Sequence, residues 1–435
     1  MPAVTPSFRH EAKRVPSTGA RRARLLPPLV LAALAACGDV APPSAPIASP
    51  EPRLAAQPLK GTWTVTTLDE PGEGSCTSSY CTLRQAVAAA QDGDRIVFKS
   101  TLRGTIKLAS SLQLGKPVQI DGGRRITLDT EGRDIVASVF SEGVELSGVT
   151  LTGGTLGAIN VLSGSLTLRS STVTGNTSVL GGGGIRSLGS LTVINSSIVG
   201  NQTSQEGGGI WASGGPLTVI GSTIADNDAD DYGGGIYVSG AAAATSITAS
   251  TISGNSGFVG GGIFNNVGSV TIRSSVIVSN SSPGAGGGVG AESAGGERAT
   301  ILLANSIIAG NGGDCYINST ESTIQSLGHT LSSTGDLGCF YYFPTWSAAS
   351  DVLVDASLLF TEVLEAQLKN NGGPTATHAL IERGWAVDAG YCPGALTDQR
   401  GATRPYDDSR MPNALDGCDI GAFEWAPAAT TGRKK

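Results

Sequence analysis

In this chain of 435 residues, the side chains best suited to work together on a ligand gather in one stretch. Glu206 precedes the run Gly207-Gly208-Gly209-Ile210-Trp211, and the acidic segment from Asp226 to Tyr232 precedes the next glycine run. Inverting glycosidases place two or three carboxylates across a groove, and Glu206, Asp230 and Asp231 form the cluster here that could supply them. A lyase instead needs carboxylates for calcium and a basic group to abstract a proton. Arg186, one repeat before Trp211, is the candidate base. The oxygens of Asp226, Asp228, Asp230 and Asp231 could also collect calcium, although an acidic turn is more often simply solvated. A third chemistry is non-covalent: Trp211, Tyr237 and Phe264 recur at one place in successive repeats, where an outward ladder of rings could stack on sugars. The competing reading is that these rings stack on one another and shield the sheet beneath.

The elements that must carry these residues follow from a repeat. Asn176, Asn201, Asn227, Asn255, Asn280 and Asn311 recur mostly 25 to 28 residues apart, and Ser171, Ser196, Ser222, Ser250, Ser275 and Ser306 stand five residues before them. A period in this range signals a solenoid. Apolar residues two apart, such as Leu191 and Val193 around Thr192, give the alternation of a strand. A second column, Ile159, Ile185, Ile210, Ile236, Ile263 and Val289, follows a turn that is glycine-rich in most repeats. Each unit therefore offers about three short strands, and stacking the units predicts an all-β, right-handed parallel β-helix of about 26 residues per coil. Alternation along the strand sends Ile210 into the tube and Trp211 outward. The same outward column holds Asn160, Arg186, Tyr237, Phe264 and Gly290. The serine and asparagine columns read as ladders of stacked polar side chains.

The ends differ from the middle. Residues 81–98 place Leu83, Ala86, Val87 and Ala90 on one helical face, which predicts a short helix capping the tube. Near the C-terminus, Asp388, Asp398, Arg400, Asp419 and Glu424 flank glycines. They read as buried ion pairs and turn caps in preference to an acid and base pair.

Residues 1–36 read as an export signal, with Arg21, Arg22 and Arg24 before an apolar run too short to span a bilayer. The run ends in Leu34-Ala35-Ala36-Cys37, which resembles the lipobox of bacterial lipoproteins, so Cys37 is the expected lipidation site and the outer membrane or cell surface the expected location. Residues 37–60 read as a Pro/Ala-rich tether, 61–313 as the capped helix, 314–425 as its C-terminal end and cap, and 426–435 as a tail. Removing 1–36 takes away six basic residues and Glu11, leaving 23 basic residues against 35 acidic. That balance argues against nucleic acid as a partner. Six further cysteines form three sequence-local pairs, Cys76 with Cys81, Cys315 with Cys339 and Cys392 with Cys418, as expected for disulfides in an exported protein.

The segment Cys81 to Val87, CTLRQAV, resembles the CSLREAI-type motif that precedes many bacterial parallel β-helices, with Gln85 where glutamate is usual. NNGGPTATHAL from Asn370, AVDAG from Ala386, DQRGATRP from Asp398 and CDIGAFE from Cys418 resemble the choice-of-anchor Q domain family. This resemblance implies a pectin-lyase-like β-helix at a bacterial surface, and it brings no catalytic residues with it. The expected function is non-catalytic adhesion or glycan binding through the aromatic ladder. The alternative is a polysaccharide lyase or glycoside hydrolase working on the Trp211, Tyr237 and Phe264 face.

Overall fold

A computed structural model describes residues 61–70, 74–240, 244–334, 339, 347–394 and 397–427. The expected export signal, Cys37, the expected tether and all of the expected tail except 426 and 427 lie outside the described residues. From 61 onward the chain winds into a parallel β-helix. Most coils contribute two successive strands to one broad sheet and a third strand to a sheet that is nine-stranded among the described residues, and four of them add a short stretch to a second sheet. The coil starting at Ser190 is representative. Ser190–Ile194 and Ser197–Val199 belong to the broad sheet, Gln202–Thr203 to the short sheet and Ile210–Ser213 to the nine-stranded one. Register runs rung by rung, with Ile210 facing Ile185 and Ile236, and Trp211 facing Arg186 and Tyr237.

Two corners of every coil need left-handed backbone. The residue before each serine takes positive φ, as in Ser170, Asn195, Gly221 and Ala249, and so does the residue before each asparagine, as in Gly175, Gly200, Asp226 and Gly254. The serine and asparagine side chains then satisfy the backbone that these bends expose. Each serine hydroxyl donates to the carbonyl two residues back and accepts the N–H of the serine one coil earlier. Each asparagine Nδ2 donates to the Oδ1 of the next coil's asparagine, from Asn176 through Asn311. The chain of amides ends at a carboxylate, because Asn311 donates both its backbone N–H and Nδ2 to Asp314. Asp314 is fully buried and also accepts from the Ser333 backbone and hydroxyl. Burial pushes it up to about 6 against the pull of these four donors.

The glycine-rich third corner has two separate causes. Gly182, Gly207, Gly233, Gly260 and Gly286 adopt φ between 63° and 71°, where a side chain is strained. Two residues later the turns of adjacent coils touch, and a Cβ on Gly209 would lie 2.6 Å from the Gly235 carbonyl oxygen. The inward columns, including Leu191, Val193, Ile198 and Ile210, are buried in one continuous core.

The N-terminal helix forms over Leu83–Ala89. Its start explains Gln85, whose backbone N–H is bonded by the Thr82 hydroxyl while its side chain accepts from the Thr82 N–H, a reciprocal capping box. Disulfides join Cys76 to Cys81, Cys315 to Cys339 and Cys392 to Cys418. Cys315 belongs to the last strand of the nine-stranded sheet, so that pair fastens a coil from within the repeats.

The C-terminal segment does more than end the tube. After the final strand, Val352–Asp355, the chain runs back along the outside of the broad sheet as an irregular strap reaching Thr223. Thr223 donates to the Ala376 carbonyl, Thr375 donates to that of Gly221, and Gln399 donates to Ser222 and Thr223. Leu380, Val387, Ile420 and Phe423 pack over Val276, Val278, Ile307 and Ala309, which point away from the tube.

Candidate functional site

The aromatic column exists, and its geometry decides what it can do. Trp211 and Tyr237 stack with centroids 6.3 Å apart and planes 13° from parallel, and Tyr237 and Phe264 at 6.0 Å and 3°. The rings therefore lie face to face along the tube axis, slipped relative to a rung spacing of about 4.8 Å. The guanidinium of Arg186 covers the remaining face of Trp211, its Cζ 4.7 Å from the ring centroid. Both faces of Trp211 and of Tyr237 are occupied by neighbours in the column. The rings thus stack on one another, as in the competing reading of the column, and their edges point away from the tube.

Even the edges are mostly covered. Tyr232, just before one glycine triplet, leans against the ring of the following coil. Tyr232 packs on Phe264 with centroids 4.6 Å apart, leaving Phe264 1% exposed. Glu206 takes the equivalent place beside Tyr237, which is 8% exposed; burial raises the tyrosine hydroxyl's pKa, and the nearby carboxylate adds to the effect. For Trp211 that place is held by Gly181, whose φ is 82°. A Cβ there would stand 3.2 Å from the indole Cδ1. Glycine thus leaves the pyrrole edge of Trp211 uncovered, with Val179 and Leu180 in the same turn each 60% exposed. Of the three rings, Trp211 is the one left half-exposed.

The acidic residues sit in different surroundings, although Asp231 and Glu206 come from adjacent rungs, where Asp231 donates its backbone N–H to the Gln205 carbonyl. Asp226 occupies a left-handed corner and is exposed, Asp228 accepts from Gln202 on the neighbouring coil, and Asp230 is exposed while Asp231 and Glu206 are half-buried. Among the described residues no group of three or more His, Cys, Asp and Glu side chains is gathered as a metal-holding set.

The C-terminal carboxylates hold the strap in shape. Asp398 accepts from the N–H groups of Arg400, Ala402 and Glu424 and pairs with the Arg400 guanidinium at 2.7 Å. Asp419 accepts from the N–H groups of Asp388 and Trp425, and Glu424 from those of Tyr406 and Asp419. The buried Arg404 lies 3.5 Å from Glu424 and donates to the Gly421 carbonyl. Burial, reinforced by Glu424, pushes Asp419 up to about 8. Carboxylates engaged by backbone donors in this way fix the loops that carry them.

One pair with the form of a catalytic dyad went unforeseen. Ser253 Oγ lies 2.9 Å from His378 Nε2, and His378 Nδ1 lies 2.9 Å from the Glu365 carbonyl oxygen. Burial holds His378 below the usual histidine range, and because Nδ1 faces a carbonyl oxygen and donates there, Nε2 is the acceptor for the Ser253 hydroxyl. Both side chains are buried where the strap meets the tube, and the pair fastens that interface. Ser253 lies outside the repeating serine column and 125 residues from His378, so no sequence spacing could connect them.

The winding of the backbone finds a match among solved structures. The chain is similar to a pectate lyase. The crystal structure of pectate lyase Pel9A aligns over 84% of this chain and 96% of its own, at 15% identity and a TM-score of 0.49, and the likeness is one of fold. No family model and no curated protein matches the sequence.

Proposed function

We propose that this protein is a non-catalytic adhesion module of the bacterial cell envelope, tethered through a lipid on Cys37, that holds a glycan at the open corner around Trp211, Arg186 and Glu206. The observation that carries this reading is the uncovered edge of Trp211. The two following rungs protect their rings with Glu206 and Tyr232, whereas the rung with the largest ring has glycine in the protecting position. An indole edge beside a guanidinium and a carboxylate offers both apolar contact and hydrogen bonds to sugar hydroxyls. A lyase or hydrolase working along the Trp211, Tyr237 and Phe264 face would need a groove there, and two of the three rings are buried.

The test uses the mature chain with Cys37→Ser, applied to a glycan array and assayed for both retention and cleavage. Retention without new reducing ends or unsaturated products, lost on Trp211→Ala, is the expected result. Retention unchanged in Trp211→Ala would overturn the reading. Turnover abolished by Asp230→Asn with Asp231→Asn would hand the site to an enzyme.

A further inference from the structure

North of Trp211, toward the N-terminus of the tube, the same outward track carries Ser138, Asn160 and Arg186 on three successive rungs. No aromatic ring fills it there. On one side of this track stand Phe140, Leu162 and Leu188, each immediately after its strand; on the other stand Leu156, Val179 and Leu180 in the turns. All six are exposed large apolar side chains, and they bracket one face within a few coils. Such a concentration marks an interaction site more often than chance surface composition does. Its floor is polar and unsatisfied. Among the described residues neither the Asn160 nor the Arg186 side chain makes a hydrogen bond or an ion pair, and Asn160 Oδ1 and Arg186 Nε are sealed from solvent as well. Buried polar atoms without partners are uncommon and call for an explanation.

We infer that this face takes an acidic N-acylated sugar, as the specific ligand of the glycan-binding reading on which the inference rests. Three features of the face select three features of the ligand. Arg186 has a guanidinium with no carboxylate of its own and is held in place by its stack on Trp211; its planar fork of donors suits a carboxylate. Asn160 Oδ1 is sealed, so the amide meets a ligand through Nδ2, a donor suited to the carbonyl oxygen of an N-acyl group. The aliphatic rims suit the acyl methyl, which a plain hydroxylated sugar lacks. Arg186 is the one cation on this track from Ser138 to Phe264, so the site matches a single negative charge and not a polyanion.

Isothermal titration of the mature Cys37→Ser chain with N-acetylneuraminyl-lactose, tri-N-acetylchitotriose and trigalacturonate tests this. The acidic N-acylated probe should bind at least tenfold more tightly than either of the others. Arg186→Gln should remove that preference by weakening the acidic N-acylated probe at least tenfold more than tri-N-acetylchitotriose, Arg186→Lys should keep part of it, and Leu188→Ser should weaken both N-acylated probes. Equal binding of the three probes, or a loss on Arg186→Gln that is the same for all of them, would overturn the inference yet leave glycan binding standing. Binding of none of the three, with no glycan retained on the array, would overturn both. An unchanged thermal midpoint in each variant keeps a folding defect from imitating either outcome.

Discussion

Replacing Asn255 by alanine tests whether the asparagine column holds the coils together. Four hydrogen bonds converge on this fully buried side chain. It donates to the Ile224 carbonyl at 3.0 Å and to Asn280 Oδ1 at 2.9 Å, and it accepts from Asn227 N at 3.0 Å and Asn227 Nδ2 at 2.9 Å. At about 1 kcal/mol of net stability per bond, the substitution should cost about 4 kcal/mol, and more if the stranded Asn227 amide finds no water. An exposed change on the same coil, Ser246→Ala, should stay within about 0.5 kcal/mol. Guanidinium unfolding followed by circular dichroism, with the denaturant slope measured for each variant, reads both values. A loss below about 1 kcal/mol for Asn255→Ala would refute the reasoning, because the column would then be an ornament on a tube held by its aliphatic core.

The carboxylate that ends this column predicts a pH dependence. Asp314 rises from 3.8 to about 6 on folding, so its contribution is fully present below the unfolded value and is lost as pH climbs through the folded one. Parent stability relative to Asp314→Asn should therefore fall by roughly 2 kcal/mol between pH 4 and pH 7; a gap that is flat or widens with pH would contradict this. At the other end of the chain, Cys37→Ser should release the protein from the membrane fraction, and continued retention there would remove the lipid anchor from the account.

Much of the tube is legible because its period is physical. A strand pair must repeat at each coil, so Leu191, Val193, Ile198 and Ile210 recur in register, and the left-handed corners restrict which residues stand before Ser196 and Asn201. The strap was less visible, since its contacts span up to 177 residues. A signal for it was nonetheless present. Val276-Ile277-Val278 and Ile307-Ile308-Ala309 are apolar at both inward and outward positions, and a strand greasy on both faces needs a cover. The aromatic ladder shows the opposite limit. Alternation correctly turned Trp211, Tyr237 and Phe264 away from the tube, but ring orientation depends on what stacks above and below each side chain. Burial of Phe264 under Tyr232 depends on a turn whose path the period does not specify. The meaning of Gly181 emerged only by comparison with Glu206 and Tyr232 at the same place on later coils.

That glycine also offers the most direct test of the open corner. Asparagine tolerates left-handed backbone better than other side chains, and Gly181→Asn would place a side chain against the indole edge where Glu206 and Tyr232 protect the next two rings. Glycan retention by the Gly181→Asn chain, measured beside its thermal midpoint, is the decisive quantity. The account predicts that retention falls to the level of Trp211→Ala while the midpoint stays close to that of the parent. Full retention by a folded Gly181→Asn chain would contradict it and move the ligand away from Trp211.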